Sequence, residues 1–274
     1  KVFSGKREWT AVEKCLEQSR KWLPRYMASF MNKCDLVLAP SAGMRDSILR
    51  QEISTPVRIL PTGLNDGSYV KDEKVSDEIR RTYLGDKRCL FCTVSRLEKE
   101  KNLYFLLRSI QCLRRRVGDG FSVMVIGDGA ERPALELYAK ELGIEGVVRF
   151  VGEVPNQKVK NYLFASDVFL FASQSETQGI VLAEAMAAGL PVAAVSACGV
   201  NDIVKDAKNG YLTAESEDIF AAKMEELMMD HEKRCRFGAN ALGMAQNYQM
   251  AYIAAEAEEV YRMILEKRRR AEEY

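Results

Sequence analysis

The sequence predicts an α/β fold built on a doubly wound parallel sheet, and three observations support this class. From residue 88 onward, short apolar runs alternate with helical patterns, as in successive strand–helix–strand units. These runs are apolar at most positions, which is typical of strands covered by helices on both faces. The 274 residues are 47% hydrophobic and 29% charged with a net charge of +1, so a disordered chain is excluded and nucleic acid is not an expected partner.

The alternating elements lie between residues 88 and 248, which we predict to form one domain. Strands are predicted at Cys89–Val94, Ser122–Ile126, Val147–Val151, Asp167–Phe171 and Val192–Val195. Helices are predicted at Asn102–Arg116, Arg132–Leu142, Asn156–Ala165 and Ile180–Ala188. Glycine or proline stands at several junctions, for example Gly143 and Pro191, because these residues end regular structure.

The chain before this domain has a different organisation. We predict that residues 1–64 are the end of a separate α/β domain, joined to the next one by a polar connection, 65–87, that carries one short helix. Its predicted elements are an amphipathic helix at 8–33, a strand at Asp35–Pro40, a helix at Gly43–Gln51 and a strand at Val57–Leu60.

The chain after the alternating domain is predicted to end in a long helix over Ala251–Arg270. Its apolar stripe includes Tyr252, Val260 and Tyr261. We expect residues 249–274 to pack back toward the N-terminal part of the chain.

A single histidine and seven cysteines limit the chemistry of the chain. His231 lies in a charged stretch typical of a protein surface, so a histidine-dependent relay is not expected, and zinc sites built on histidine clusters are excluded. The cysteines are odd in number and scattered through apolar segments, which is typical of reduced thiols in a cytosolic protein. Cys89 and Cys92 have redox-motif spacing, but they lie in a predicted strand, and we expect them to be core residues.

The most informative segment, Ser173–Pro191, leaves one predicted strand and enters the next helix. Strand ends of a parallel sheet face the ligand crevice, and the amides of Gly179 and Ile180 at the helix start suit a phosphate. Glu176 lies in the loop, whereas Glu184 lies in an otherwise apolar helix. Because a buried carboxylate requires hydrogen-bond donors, Glu184 is expected to bind either the two hydroxyls of a ribose or, in a structural role, a neighbouring loop amide.

Two further strand ends carry groups that suit a nucleotide. Arg96 and Lys101 are two cations beside a helix start, which fits a diphosphate; the alternative is that they are ordinary surface charges. Gly127, Asp128 and Gly129 form a tight turn where a base or a ribose can approach the backbone. The third glycine of a dinucleotide fingerprint is absent, which disfavours a dinucleotide-dependent oxidoreductase.

These segments together resemble the donor-binding half of the retaining glycosyltransferases of family 4, which have the GT-B architecture of two Rossmann-like domains. The resemblance covers about Asp35–Met250 and rests on motifs in combination. The motifs are Glu176 and Glu184 with seven residues between them, Ser95-Arg96-Leu97 with Lys101-Asn102, Ile126–Gly129, Phe150–Pro155 and Asn209–Leu212. The segments Glu176–Gly179 and Leu60–Leu64 are most similar to the diacylglycerol glucosyltransferase branch.

The resemblance implies a role for each candidate residue. Arg96 and Lys101 would neutralise the leaving diphosphate of a nucleotide sugar, Glu176 would contact hydroxyls of the donor sugar, and Glu184 would bind the ribose. Backbone amides at Thr177, Gln178, Gly179 and Ile180 would hold the sugar and the phosphates, and the base would lie between Gly127, Asp128 and Gly129 on one side and Glu153 and Val154 on the other.

The resemblance also implies a reaction, the transfer of glucose from UDP-glucose to diacylglycerol or another membrane lipid with retention of configuration. A soluble or polysaccharide acceptor is one alternative, and a non-catalytic module that binds a nucleotide or a sugar phosphate is another. The chain contains no Asp-x-Asp sequence, and the GT-B scheme requires no bound metal, so we expect no metal and no other cofactor.

The match is partial at the N-terminal side, where family members carry a complete acceptor domain and residues 1–64 correspond only to its end. We therefore expect a fragment that transfers sugar poorly or not at all.

Residues 1–33 hold eight basic and three acidic residues together with Trp9, Trp22 and Phe30. This pattern fits either a helix lying on anionic lipid or a domain helix packed on its own sheet. The expected location is cytoplasmic, on the cytoplasmic face of the membrane if the lipid contact exists.

Overall fold

The computed structural model describes residues 22–65 and 69–272, which form two parallel sheets surrounded by helices. The strands are β1 (Val37–Ala39), β2 (Val57–Ile59), β3 (Cys89–Val94), β4 (Phe121–Ile126), β5 (Val148–Gly152), β6 (Val168–Phe171), β7 (Val192–Val195) and β8 (Gly210–Thr213). The α-helices are α1 (22–31), α2 (Ala42–Leu49), α3 (Glu73–Leu84), α4 (Leu103–Val117), α5 (Arg132–Glu141), α6 (Asn156–Ala165), α7 (Ile180–Ala187), α8 (Val200–Ile203), α9 (Glu217–Met229), α10 (His231–Ala245) and α11 (Met250–Glu272).

The larger sheet has six parallel strands in the spatial order β5-β4-β3-β6-β7-β8. The chain moves outward from β3 to β5, returns to place β6 beside β3, and then moves outward in the other direction to β8. The loops that follow β3 and β6 therefore diverge, and this divergence opens a crevice at the carboxyl edge of the sheet. The predicted doubly wound parallel sheet is confirmed.

Both faces of the larger sheet are covered, because side chains alternate between the faces along each strand. In β3, Cys89 and Phe91 belong to the core that α4, α5 and α9 cover. Leu90 and Cys92 belong to the opposite core, under α6, α7 and α10. The four side chains are all fully buried, which explains why the strand is a continuous apolar run.

Helix α4 shows how the local pattern produces these layers. Its buried residues Leu103, Leu106, Ile110 and Leu113 recur at three- and four-residue steps, so they form one apolar face. The helix follows a 3-10 turn at residues 99–101 and ends at Gly118, whose φ of 69° favours glycine. Predicted boundaries in the alternating region agree with the structure within two residues. The helix at 156–165 and the strand at 192–195 coincide with the predicted ranges.

Helix α3 lies inside the stretch 65–87 and packs against the larger sheet and α6. Asp72 begins it, because its side chain accepts a hydrogen bond from the amide of Val75 at 3.2 Å. Arg80 donates to the carbonyl of Ala165 at 2.8 Å and pairs with Asp167 at 3.1 Å. Asp167 also accepts from the amide of Leu90 at 2.7 Å, so α3 is tied to the starts of two neighbouring strands.

The N-terminal segment, residues 22–65, contacts α11. The amide of Met250 donates to the carbonyl of Leu64 at 2.8 Å, and Arg268 pairs with Asp35 at 2.6 Å. Within α11, Ile253 and Val260 are buried. The predicted stripe was wrong about Tyr252 and Tyr261, which are 72% and 62% exposed, because the helix turns a different face to its neighbours.

Helix α1 is the described part of the predicted helix at 8–33; the remainder, with Trp9, lies outside the described residues. Tyr26 and Phe30 are each 59% exposed, so the described part of the chain leaves this stripe uncovered. Among the described helices, none is both long enough and apolar enough to span a bilayer.

Candidate active site

Residues that follow four strands, β3, β4, β5 and β6, line one cavity at the carboxyl edge of the larger sheet, beside the β3–β6 junction. Its volume is about 690 Å³, which lies within the range of small-molecule sites. Of the predicted site residues, ten line it: Arg96, Lys101, Gly127, Asp128, Gly129, Glu153, Val154, Glu176, Ile180 and Glu184. The cavity thus combines cations, carboxylates and exposed backbone in one crevice.

The turn after β4 packs directly under the loop after β3. A Cβ on Gly127 would lie 2.0 Å from the carbonyl oxygen of Ser95, and one on Gly129 would lie 2.5 Å from that of Leu97. Gly127 also has a φ of 125°. The amide of Leu97 donates to the carbonyl of Asp128 at 2.9 Å. These glycines are required where two loops meet, and the same close approach leaves backbone exposed to the cavity.

Glu176 and Lys101 form an ion pair inside the cavity. Lys101 Nζ lies 3.3 Å from Glu176 Oε2, and each side chain is only 18% exposed. The other oxygen of Glu176, Oε1, accepts from the amide of Gly179 at 3.2 Å. The sequence predicted a free amide at Gly179 for an anionic ligand, but Glu176 occupies that amide in this state.

Arg96 is the more accessible cation. Its side chain is 76% exposed and lies 3.5 Å from Glu100, one turn along the chain. A pair this exposed contributes little to stability, so the guanidinium can leave Glu100 at small cost when an anion enters the cavity.

Glu184 lies on α7, where burial raises the pKa of its carboxyl group. The hydroxyl of Tyr69 donates a hydrogen bond to this carboxylate, which acts in the opposite direction and lowers the pKa. Burial and the neighbouring Glu184 together raise the pKa of Tyr69, so the phenol remains a donor. The expected structural partner was a loop amide. The structure provides a phenol instead, from the stretch predicted to be a connection.

Thr177, Gln178 and Gly179 do not line the cavity. The Gln178 side chain is 6% exposed and makes two hydrogen bonds to the backbone of Thr62. The carbonyl of Thr177 accepts from the hydroxyl of Ser41. Gly179 has a φ of 83°, and a Cβ there would lie 2.9 Å from the Leu182 side chain, so glycine is needed to start α7.

Sequence reasoning missed several residues of the cavity wall. Glu98 lies within the Arg96–Lys101 segment and Ser95 directly precedes it, so both could have been found from that motif. Asn156 and Val159 begin α6, and Phe171 ends β6. Their contribution depends on which strand ends are neighbours, and no local pattern in the sequence carries that information.

The residues excluded from chemistry lie elsewhere in the described structure. Burial raises the pKa of the Cys92 thiol to about 12, and Cys89 lies on the opposite face of β3, so the two thiols cannot act together. His231 is exposed at the start of α10, next to Arg234 and Cys235. Among the described residues, no cluster of three or more candidate side chains could hold a metal ion.

A six-stranded parallel sheet with a polar cavity at its β3–β6 junction defines a ligand-binding α/β domain of the doubly wound class. The chain belongs to the family of glycosyl transferases group 1, whose sequence pattern matches residues 75–244.

The relatives fall into several glycosyltransferase types. The alpha-monoglucosyldiacylglycerol synthase of Streptococcus pneumoniae is 29% identical over 203 residues, 73% of this chain and 46% of that protein. The GDP-mannose-dependent alpha-(1-6)-phosphatidylinositol monomannoside mannosyltransferase of Mycobacterium tuberculosis is 30% identical over 189 residues, 66% of this chain and 49% of that protein. The chain spans about half the length of the curated relatives it matches.

Solved structures share the architecture. The HepE protein of Anabaena, crystallised in complex with UDP-glucose, superposes with a TM-score of 0.80 over 90% of this chain and 69% of that chain, at 22% identity. At this identity the likeness establishes the GT-B type of fold.

Proposed function

We propose that the protein takes part in transferring a hexose from a nucleotide sugar to an acceptor with retention of configuration, and that this hexose is glucose. One observation carries the proposal: Arg96, Lys101, Glu176 and Glu184 come from three different loops and helices, and they converge on a single cavity. Their charges match the parts of a nucleotide sugar, with cations for the diphosphate and carboxylates for hydroxyl groups.

The leaving group is the charged part of the reaction. When the bond between the anomeric carbon and the diphosphate oxygen breaks, negative charge grows on that oxygen. Arg96 and Lys101 stabilise this charge after exchanging Glu100 and Glu176 for phosphate oxygens. The acceptor hydroxyl attacks on the same face of the sugar, and its proton passes to the departing diphosphate. These two cations perform the charge neutralisation, so the proposal requires no metal.

The carboxylates orient the donor. Glu184 accepts hydrogen bonds from the ribose hydroxyls, and Glu176, once Lys101 turns to the diphosphate, accepts them from the sugar. The base contacts the Gly127–Gly129 turn and Glu153 with Val154, which line neighbouring parts of the wall because the amide of Gly127 donates to the carbonyl of Gly152 at 2.8 Å. Ile180 closes the wall at the start of α7.

UDP-glucose and a lipid acceptor are the proposed substrates. The similarity to the alpha-monoglucosyldiacylglycerol synthase supports a lipid acceptor. The HepE structure, which has this fold and was crystallised in complex with UDP-glucose, supports UDP-glucose as the donor. A membrane acceptor agrees with the excess of basic residues in 1–33 and with exposed Tyr26 and Phe30 on α1. The protein then works as a peripheral protein on the cytoplasmic face of an anionic membrane.

A ligand panel tests the proposal. Thermal unfolding is measured with UDP, UDP-glucose, GDP, GDP-mannose, ADP and NAD. We expect stabilisation by UDP and UDP-glucose. Glu184→Gln should weaken nucleotide binding by roughly ten- to a hundredfold, because ribose hydroxyls lose a charged acceptor.

Glu225→Gln is the matched control, since Glu225 lies on α9 and pairs with Arg116 away from the cavity. It should bind nucleotide like the wild type. Stabilisation by NAD alone, or unchanged affinity in Glu184→Gln, would contradict the proposed function.

A further inference from the structure

The loop between β6 and α7, residues 172–179, connects the cavity with the N-terminal segment. At one end Glu176 faces Lys101 in the cavity. Two residues later Gln178 is buried away from the cavity, and its side chain points to the turn after β2. A single short loop therefore has one side chain in the site and another, two residues further on, anchored outside it.

The anchor of Gln178 is a reciprocal pair of hydrogen bonds. The amide of Thr62 donates to Gln178 Oε1 at 2.8 Å, and Gln178 Nε2 donates to the carbonyl of Thr62 at 2.9 Å. The Gln178 amide thus satisfies a backbone donor and a backbone acceptor of one residue. This arrangement fixes both the position and the orientation of the side chain.

A second contact holds the same loop to the same segment. The hydroxyl of Ser41, which is 3% exposed, donates to the carbonyl of Thr177 and accepts from the amide of Met44 at the start of α2. The other side of the loop packs on Gly199, where an added Cβ would lie 2.7 Å from the backbone nitrogen of Gln178. The amide of Gly199 also donates to the carbonyl of Glu176 at 3.0 Å. The loop is held between the N-terminal segment and the start of α8.

We propose that Gln178 is a positioning residue, which with Ser41 couples the N-terminal segment to the β6–α7 loop and so holds Glu176 in the orientation that meets the donor sugar. The inference rests on the proposed function, because it assigns Glu176 to the sugar. The nucleotide part of the donor contacts Arg96 and Glu184, which belong to other elements, and Lys101, which exchanges Glu176 for phosphate oxygens. Freeing Glu176 from its anchored loop should therefore not weaken nucleotide binding.

Loss of the coupling should lower the affinity for UDP-glucose but not the affinity for UDP, and both affinities can be measured on the same protein. Calorimetry gives the dissociation constants of UDP and UDP-glucose for the wild type and for Gln178→Met, which keeps the length of the side chain and removes both hydrogen bonds. We expect UDP to bind as in the wild type. UDP-glucose should lose about fivefold in affinity, since a hydrogen bond contributes about 1 kcal/mol and the freed loop no longer presents Glu176.

Ser41 provides an independent variant. Ser41→Ala should show the same selective loss, whereas Ser41→Thr, which keeps the hydroxyl donor, should restore wild-type affinity. Gln111→Met is the matched control, because the Gln111 side chain also donates to a backbone carbonyl, that of Leu142 at 2.9 Å, outside the cavity. Its affinities for both ligands should not change.

The outcomes separate the inference from the proposed function. If the wild type binds neither UDP nor UDP-glucose, the proposed function fails. If the wild type binds both and Gln178→Met binds both equally well, the function stands and the positioning role of Gln178 is wrong. A parallel loss of UDP and UDP-glucose affinity in Gln178→Met would also overturn the inference, because it would indicate a general structural role.

Discussion

The ionisation and hydrogen bonding of individual cavity residues depend on partner residues from other elements of the fold. The carboxyl group of Glu184 is disfavoured as an anion by burial, and the Tyr69 hydroxyl partly compensates by donating a hydrogen bond. From the sequence, the apolar surroundings of Glu184 were sufficient to predict a buried carboxylate that needs a donor. The identity of the donor was not predictable, because Tyr69 lies in a polar stretch without a pattern.

A Tyr69→Phe variant tests how this partner controls ionisation. In the proposed function, Glu184 accepts hydrogen bonds from both ribose hydroxyls only when it is ionised, so nucleotide binding should weaken as the pH falls through its pKa. The Tyr69 hydroxyl favours the ionised form and lowers that pKa. Its removal raises the pKa, and the loss of affinity should begin at a higher pH than in the wild type. Nucleotide dissociation constants measured at decreasing pH check this.

Tyr261→Phe is the control for the loss of a phenolic hydroxyl, because Tyr261 is exposed on α11. Its pH profile should match the wild type. An identical pH profile in Tyr69→Phe would refute the role of the Tyr69 hydrogen bond.

The helices and strands of the fold differ in how readily they can be predicted from the sequence. Strands and helices between residues 89 and 195 were predicted because apolar periodicity and glycine punctuation agree there. Helices α9 and α10 were not predicted. In α10, Gly238 packs so closely that an added Cβ would lie 2.4 Å from the carbonyl of Gly189. Contacts of this kind in α10 leave little hydrophobic signal, whereas α9 carries an apolar stripe of Phe220, Met224 and Leu227 from which it could have been predicted.

The loops after β3 and β4 provide a test at this scale. Gly129→Ala places a methyl group 2.5 Å from the Leu97 carbonyl oxygen, so one of the loops must move. We expect a loss of about 2 to 4 kcal/mol in the free energy of unfolding and weaker nucleotide binding, because both loops line the cavity. Urea unfolding followed by circular dichroism measures the first quantity.

Gly146→Ala is the comparison, since an added Cβ there meets no atom within 4 Å. It should leave both stability and nucleotide binding close to wild type. Wild-type stability in Gly129→Ala would show that the loops tolerate side chains at their contact.

At the scale of the whole molecule, ligand binding and folding are linked. A nucleotide that binds only the folded chain stabilises it by about 2.7 kcal/mol at a concentration one hundred times its dissociation constant, which raises the unfolding temperature by several degrees. Because Arg96 and Lys101 supply the positive charge in the proposal, this increase should be the same with EDTA and with added magnesium. Differential scanning fluorimetry with UDP measures it. If EDTA abolished the rise in unfolding temperature that UDP causes, a metal ion would be shown to complete the site.

The sequence by itself determined the α/β class, the positions of the strands from 89 to 195 and the residues at their carboxyl ends. Those features follow from local periodicity and from the rule that parallel strand ends share one edge. Only the tertiary structure decided how these residues are partnered: Lys101 with Glu176, Tyr69 with Glu184, and Gln178 with Thr62 rather than with the cavity. The physical reason is that periodicity specifies each element separately, whereas a hydrogen bond or ion pair depends on which strand ends become neighbours, and that order is set by the packing of the complete sheet.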